Sequence, residues 1–553
     1  MASRKRLIVG IDFGTTKTCV GYTKPGARGK IELVRQWSME NTNEPVVPSR
    51  IGYDQGVPAG YGDGVLPGAE VCSWTKLLLD RNVNSLEFAD EAMRQMLGSG
   101  VLHLPAALSP CYVISDFLRY VHHHTSDHIP EIDRDDTQVE YYFTVPATWP
   151  QETRDLLRSA AIGAQFERAV QQRERVYVID EPEAATLSVL AQCQNALEPG
   201  DGLLVCDCGG GTVDITTCSI LSVNPTLHFQ QITASTGGMC GSTAVDFRFY
   251  QLLVRELGDA FLELPSGTSR PGSVFMNRFE QVKKTFHENE SRTSYIPLNI
   301  ELHDGAVYSD IYDTQKSRVV LAPGRMRELF DPVVDRIRAL VLTQIRQAHD
   351  CGRPINKVVL VGGFSASPYL RSRLGNWLRE NESCVVIPQS EPHLAAVRGA
   401  VLYGLHFANG PTWHCSRTYG VAVADMPTFE PSWILRKGES YSASMPHHAS
   451  ITIAHAHEKS LVYEIGIYEC SLVDLQHRVD SDYHIARKGV IVCDFNERQN
   501  RSAYPYPVVA GQTLYTLRAD VEVTFVPADR SLHFVVRSQG QEVGRGQVAV
   551  PAE

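Results

Sequence analysis

The chain has 553 residues, is 43% apolar and 21% charged, and carries a net charge of −11. That length calls for two to four cores, the composition is that of a folded globular protein, and the acidic balance argues against nucleic acid or an anionic membrane as the main partner. No run approaches the roughly 18 apolar residues of a membrane span.

The N-terminus, MASRKRLIVGID, holds too short an apolar stretch for the roughly 7–15-residue core of a signal peptide, and Asp12 interrupts it. The thirteen cysteines are therefore expected as free thiols in the reducing cytoplasm, with no CxxC pair to suggest zinc. Residues 6–22 read as two strands joined by the tight turn GTTKT. Residues 139–147 form another strand, and 151–166 have helical spacing with Arg and Glu outward. VYVID (176–180) is a strand, and a helix starts at EPEAATL, with Pro182 in its first turn, where a missing N–H costs nothing. EPGDG (198–202) is a turn-rich boundary, so a first lobe is expected over 1–197.

The second lobe, expected over 198–408, repeats the theme. GLLVCDCGGGTVDITTCSI reads as a pair of strands, 277–288 and 325–350 as helices, and 357–378 as strand, glycine turn and helix. Strands alternating with helices in both halves predict α/β architecture with two related sheets. From about 414 to 553, short period-2 segments separated by turn residues predict an all-β sandwich, with no helical segment after it.

Two stretches share one pattern. VGIDFGTTKTCVG (9–21) and LVCDCGGGTVDIT (204–216) each run strand, Asp, one residue, Gly-rich turn with Thr, strand. Glycines let backbone N–H groups approach phosphate oxygens, Thr hydroxyls add donors, and an Asp at a strand end can hold Mg2+ through its waters. A Walker loop is excluded, because Lys17 follows Thr16 rather than Gly and a strand follows rather than a helix. Either turn alone reads more readily as a plain β-hairpin; the pair, with Asp at the same offset, points to a two-lobed nucleotide clamp.

These motifs resemble the phosphate-binding turns of the actin-like ATPase superfamily, and more narrowly those of the seventy-kilodalton heat-shock (DnaK-type) chaperones. VVPSRIGY (46–53), TVPATWPQETRDLLRSAAIGA (144–164), VIDEPEAATL (178–187), FEQVKKTF (279–286), VVLVGGFSASPYL (358–370) and PHLAAVRGAVLYG (392–404) resemble further family motifs in the family's order. The likeness runs from 7 to 408 and looks nearest to the divergent heat-shock-like ATPases of filamentous fungi. It implies an actin-like ATPase of two ribonuclease-H-like lobes, with ATP/ADP and Mg2+ as cofactors. Asp12 and Asp207 would orient hydrated Mg2+. Gly14, Thr15, Thr16, Lys17, Gly209, Gly210, Gly211 and Gly238 would serve the nucleotide. Lys76, Glu181, Asp207 and Thr212 would carry catalysis. Glu280, Lys283, Lys284 and His287 would approach the adenosine, and Gly362, Gly363 and Phe364 its base pocket. Client polypeptides and a nucleotide-exchange factor are the implied partners, with no nucleic acid and no membrane.

Several of these residues have plainer readings. Lys76 precedes Leu-Leu-Leu and reads as a solvated lysine ending an apolar stretch, and Glu181-Pro182 as an ordinary helix start. His122, His123, His124 and His128 look like a metal cluster, but consecutive helical residues point apart. His455 and His457 face one side of a strand, two ligands without a third. GYGDG (60–64) follows no clear strand and opens no helix, which removes a dinucleotide loop.

The chain also departs from the family. Lys17 stands at an aromatic position, Lys284 at an arginine, His287 at a small hydroxyl residue and His393 at an acid. The junction FANGPTWHCSRTYG (407–420) lacks the usual leucine-rich acidic linker. A sandwich without a lid is expected to hold peptide loosely. The reading is an ATP-binding, slowly hydrolysing chaperone-like protein. Its alternatives are a nucleotide-gated scaffold without turnover, a small-molecule kinase of the same superfold and, less favoured, an actin-like filament subunit.

Overall fold

The computed structural model describes residues 5–24, 30–37, 43–66, 68–79, 104–105, 108–167, 174–223, 228–300, 310–407, 413–414, 417–423, 431–436, 440–441, 447–456, 461–470, 485–495, 514–526, 531–538 and 541–550. His457 and much of the 407–420 junction lie outside them. The chain divides into two compact units, Met1–Gly404 and Leu405–Glu553.

The first unit holds two sheets of like topology. In one, β1 (Lys5–Phe13) pairs antiparallel with β2 (Lys17–Thr23) and parallel with β3 (Thr137–Val145), which continues in parallel to β4 (Glu174–Asp180). Helices α1 (Pro110–His128) and α2 (Gln151–Gly163) cover it, and α3 (Glu181–Cys193) leaves the end of β4 directly. Val9, Ile11, Val139, Tyr141 and Phe143 are wholly buried, which explains near-continuous apolar runs instead of alternation.

The second sheet repeats the arrangement. β5 (Gly202–Cys208) pairs antiparallel with β6 (Val213–Ser222), β6 with β7 (His228–Gly238), and β5 runs parallel to β8 (Lys357–Val361). Around it lie α4 (Ser242–Leu257), α5 (Val274–Thr285), α6 (Pro323–Asp350) and α7 (Pro368–Asn381). α5 stops at Thr285, short of the expected 288, because Phe286 turns to extended backbone and buries its ring against Phe330 and Tyr369. α6 is one helix despite Pro332. Pro332 and Glu328 are both exposed, so the carbonyl that proline deprives of a partner can meet water.

In the second unit, two four-stranded antiparallel sheets share one core. One contains Ser432–Leu435, Thr418–Val423, Val462–Cys470 and Ile485–Asp494; the other His447–Ala456, Leu514–Val526, Ser531–Ser538 and Gln541–Ala549. Leu532, Phe534 and Val536 point inward at every second position, the period of a strand with one wet face.

The last helix, α8 (Ala395–Phe407), packs on α3 with no room for a side chain at Gly399: a Cβ there would overlap the Ala184 carbonyl. A Gly399→Ala substitution should destabilise the first unit by about 1–3 kcal/mol or more in urea unfolding. Gly375→Ala in α7, where a Cβ meets nothing within 4 Å, should instead be neutral or stabilising by about 0.5–1 kcal/mol.

Candidate nucleotide site

The two turns close in the same way. The Gly14 N–H donates to the Lys17 carbonyl at 3.0 Å, and the Gly209 N–H to the Thr212 carbonyl at 2.9 Å. Asp12 and Asp207 each occupy the next-to-last position of the preceding strand. In the second turn the carbonyls of Gly209, Gly210 and Gly211 accept N–H groups of Ser242, Thr243 and Gly241 at the start of α4. With those oxygens committed there and the Gly209 N–H closing the turn, the N–H groups of Gly210 and Gly211 are left to meet an anion.

The turns face each other across the cleft. A Cβ on Gly210 would stand 2.6 Å from Thr16 Oγ1, and one on Gly211 would overlap Thr15 Oγ1. Gly362 has φ +83°, and a Cβ there would collide with Asp207 Oδ1 and the Cys208 carbonyl. Contact favours glycine at 210 and 211, and contact together with backbone conformation requires it at 362.

Between the turns lies a cavity of about 570 Å3. Its walls include Asp12, Gly14, Thr15, Thr16, Lys17, Lys76, Glu181, Asp207, Gly209, Gly210, Gly211, Thr212, Glu280, Lys283, Lys284, Gly362, Gly363 and Phe364. The structure does not bring Gly238 or His287 to that wall. Gly238 pairs with Val213 and packs near Leu340, and His287 lies beyond the end of α5 beside Glu290. Phe364 touches the cavity but is otherwise buried in the core near Phe330.

Lys76 is almost wholly buried, and its ammonium donates to Glu181 Oε1 at 2.6 Å. The Trp149 and Phe13 rings lie 5.4 and 5.9 Å from it, a cation–π enclosure that fixes its direction. The reading of Lys76 as solvated is thereby set aside. Burial and the Glu181 charge push Asp12 up to about 6 and Asp214 up to about 7, and with Asp12 and Asp214 they raise Asp207 well above the usual carboxylate range. Lys76 opposes all three shifts. Thr144 donates to Asp12 at 3.0 Å, and the Ala147 N–H donates to Asp214 Oδ1 at 3.1 Å, while Asp214 Oδ2 is buried without a hydrogen-bond partner.

On the α5 wall of the cavity, Lys283 has its ammonium within 2.6–2.7 Å of both Asp246 oxygens and 2.6 Å from Glu280. Its donors are engaged by protein, so it shapes the wall through Asp246 and Glu280. Lys284 is more loosely tied, 3.5 Å from Glu280.

The donor set fits a hydrated Mg2+. Mg2+ prefers oxygen ligands and keeps its waters, and the carboxylates crowd one region with a buried oxygen to spare. Among the described residues no three His, Cys, Asp or Glu side chains form a group that could hold a metal by themselves, so an ion here would be held through water by Asp12 and Asp207. The histidines of α1 diverge: His122 packs edge-on against Phe166, His123 pairs with Asp127, and His124 stacks on Trp37.

Asp214, Thr144, Trp149 and Ser242 were not reached from the sequence. Only Asp214 left a signal there, as the last residue of GGGTVD.

The raised carboxylates make the nucleotide-free fold depend on pH. A carboxyl whose folded value lies above its unfolded one favours folding fully below about pH 4, and that contribution disappears as the pH rises through about 6 for Asp12 and about 7 for Asp214. Asp214→Asn keeps an acceptor for Ala147 and removes the charge. It should raise the thermal midpoint without nucleotide by about 2 °C or more at pH 8, and by less at pH 5.

Comparison with known proteins agrees with this geometry. A family model described as Hsp70 protein matches residues 108–409, a span that starts after the first turn and Lys76. Heat shock 70 kDa protein 12A of Mus musculus is 24% identical, over 75% of this chain and 72% of its own length. Heat shock 70 kDa protein 12B of Homo sapiens is 23% identical over 75% and 71%. Chaperone protein DnaK of Thermoplasma volcanium is 27% identical over 48% of this chain and 40% of its own. Because the matched span exceeds half of the chain, the protein belongs to the Hsp70 family, whose members bind ATP and ADP together with Mg2+.

Proposed function

We propose that this protein is a slow ATPase with chaperone-like action, clamping Mg·ATP between residues 1–197 and 198–408 and using the β unit after 414 to engage client polypeptides. The observation that carries the reading is the buried Lys76–Glu181 pair beside Asp12 and Asp207, set where two glycine turns converge.

Phosphoryl transfer to water needs positioning and charge stabilisation rather than a covalent nucleophile. Bound Mg2+ would supply neutralising charge to the phosphate oxygens. Thr15, Thr16, Gly210 and Gly211 cradle the phosphates, and Thr212 sets the terminal one. Lys76, held by Glu181 and two aromatic rings, orients the attacking water. Asp12 and Asp207 hold the hydrated ion. Glu280 and Lys284 flank the adenosine, with Gly362 and Gly363 beneath its base.

Client binding rests on family membership and on the antiparallel sandwich of residues 418–549. The twelve described cysteines are all free thiols, which supports a cytoplasmic setting. Among the described residues no helix is long and apolar enough to cross a membrane.

ATP turnover, measured with and without an unfolded polypeptide, tests the reading. Asp207→Asn and Lys76→Ala should each lower kcat by about a hundredfold, and polypeptide should accelerate the wild type. Turnover that survives both substitutions refutes the site assignment, and turnover indifferent to polypeptide refutes the chaperone part.

A further inference from the structure

Trp74 is the bulkiest of the described non-glycine residues with positive φ. Its φ of +58° is left-handed, a conformation that a large side chain keeps only where the surrounding structure holds it. Trp74 joins two segments. Before it, the strand Glu70–Ser73 pairs antiparallel with the strand Arg50–Asp54, with Ser73 opposite Arg50. After it, the 3-10 helix Thr75–Leu79 carries Lys76, and the Trp74 carbonyl accepts the Leu77 N–H at 3.0 Å. The direction of that helix, and so the aim of the Lys76 ammonium at Glu181, follows from the turn made at Trp74.

The other half of the first unit touches the chain at the same place. The Arg50 guanidinium is spread over three acceptors. Its Nε donates to the Gly62 carbonyl at 2.7 Å, its Nη2 to Asp63 Oδ1 at 2.9 Å, and its Nη1 to the carbonyl of Gly272, 222 positions later, at 3.2 Å. Gly272 lies just before α5 with φ +93°, so near that a Cβ would stand 2.8 Å from Ser73 Oγ and 3.0 Å from Val71 Cγ1. Ser73 Oγ is buried there without a hydrogen-bond partner, so among the described residues Arg50 carries the polar part of this contact. On another side, Arg50, Trp74, Gly272 and Met276 line a compartment of about 400 Å3. Trp74 thus has free volume beside it, and the Gly272 contact, rather than close packing all round, keeps the joint left-handed.

We propose that Arg50 is a positioning residue for Lys76: by holding the Gly272 loop against Ser73 it keeps Trp74 left-handed and the Lys76 ammonium aimed into the cleft. This rests on the reading of Lys76 as the group that orients the attacking water. Loss of the contact lets Trp74 relax and Lys76 swing away, which slows hydrolysis. Nucleotide affinity comes from the glycine turns, on other segments, and is kept.

The test is a double-mutant cycle on single-turnover hydrolysis of Mg·ATP by the full chain, with Arg50→Met, Lys76→Ala and the two combined. Gly272→Ala breaks the same contact from its other side. Arg50→Met keeps the aliphatic stem and removes the donors. Arg50→Met and Gly272→Ala should each lower the rate about tenfold, with ATP affinity within about threefold of wild type. In the Lys76→Ala background, Arg50→Met should cost less than about twofold further. An equal tenfold loss in both backgrounds marks a merely structural role and overturns the proposal. A wild-type rate in both Arg50→Met and Gly272→Ala, or a loss confined to affinity, overturns it as well. A wild-type rate in Lys76→Ala overturns the assignment of Lys76 itself, and the positioning role with it.

Discussion

One ammonium among four carboxylates governs this molecule. Lys76, Glu181, Asp12 and the Asp207–Asp214 hairpin pair come from four separate stretches of the chain, yet meet in one region where burial works against the charges of the three aspartates. Buried charges without compensation cost several kcal/mol each. The fold holds them by anchoring each on a stiff element: Asp12 and Asp207 in central strands, Asp214 at the start of β6, and Glu181 where β4 passes into α3. The electrostatic cost of that burial concentrates at the cleft. A ligand bringing positive charge would relieve it, so binding and stability are linked through the same carboxylates.

Steric fit enforces the same arrangement. Thr15 and Thr16 of one turn press on Gly211 and Gly210 of the other, and Gly362 presses on Asp207. A side chain at Gly210 or Gly211 would press the two turns apart, and one at Gly362 would displace Asp207. The like topology of the two sheets brings this about: each starts with a hairpin whose turn opens towards the other. The charged floor and the glycine-lined walls are thus consequences of one repeated strand–turn–strand unit.

How much was legible in the sequence depends on how local the cause is. The hairpins around Asp12 and Asp207 could be read because turn chemistry and strand period lie within a dozen residues. The same holds for α3, announced by Pro182 after a β-run. The family likeness carried Lys76 and Glu181 into the site, but it could not show that Trp149 and Phe13 enclose the ammonium, since those contacts join distant segments. Lys283 looked free to reach a ligand; Asp246, 37 residues away, occupies it. Gly238 faces the core near Leu340, and His287 lies past a helix that ends when Phe286 turns inward. Period alone does not mark that stop. The histidine run of α1 is the opposite case, a conspicuous string that geometry disperses.

A hydrated divalent ion delivered with the nucleotide would complete the Asp12–Asp207 carboxylate cluster of the cleft. Pulsed electron paramagnetic resonance with Mn2+ in place of Mg2+ tests it directly. The account predicts one Mn2+ bound per chain in the presence of ADP, with phosphorus coupling from the nucleotide and several coordinated waters. A bound Mn2+ without phosphorus coupling and with protein carboxylates in place of its waters, or no bound Mn2+ at all, would contradict it.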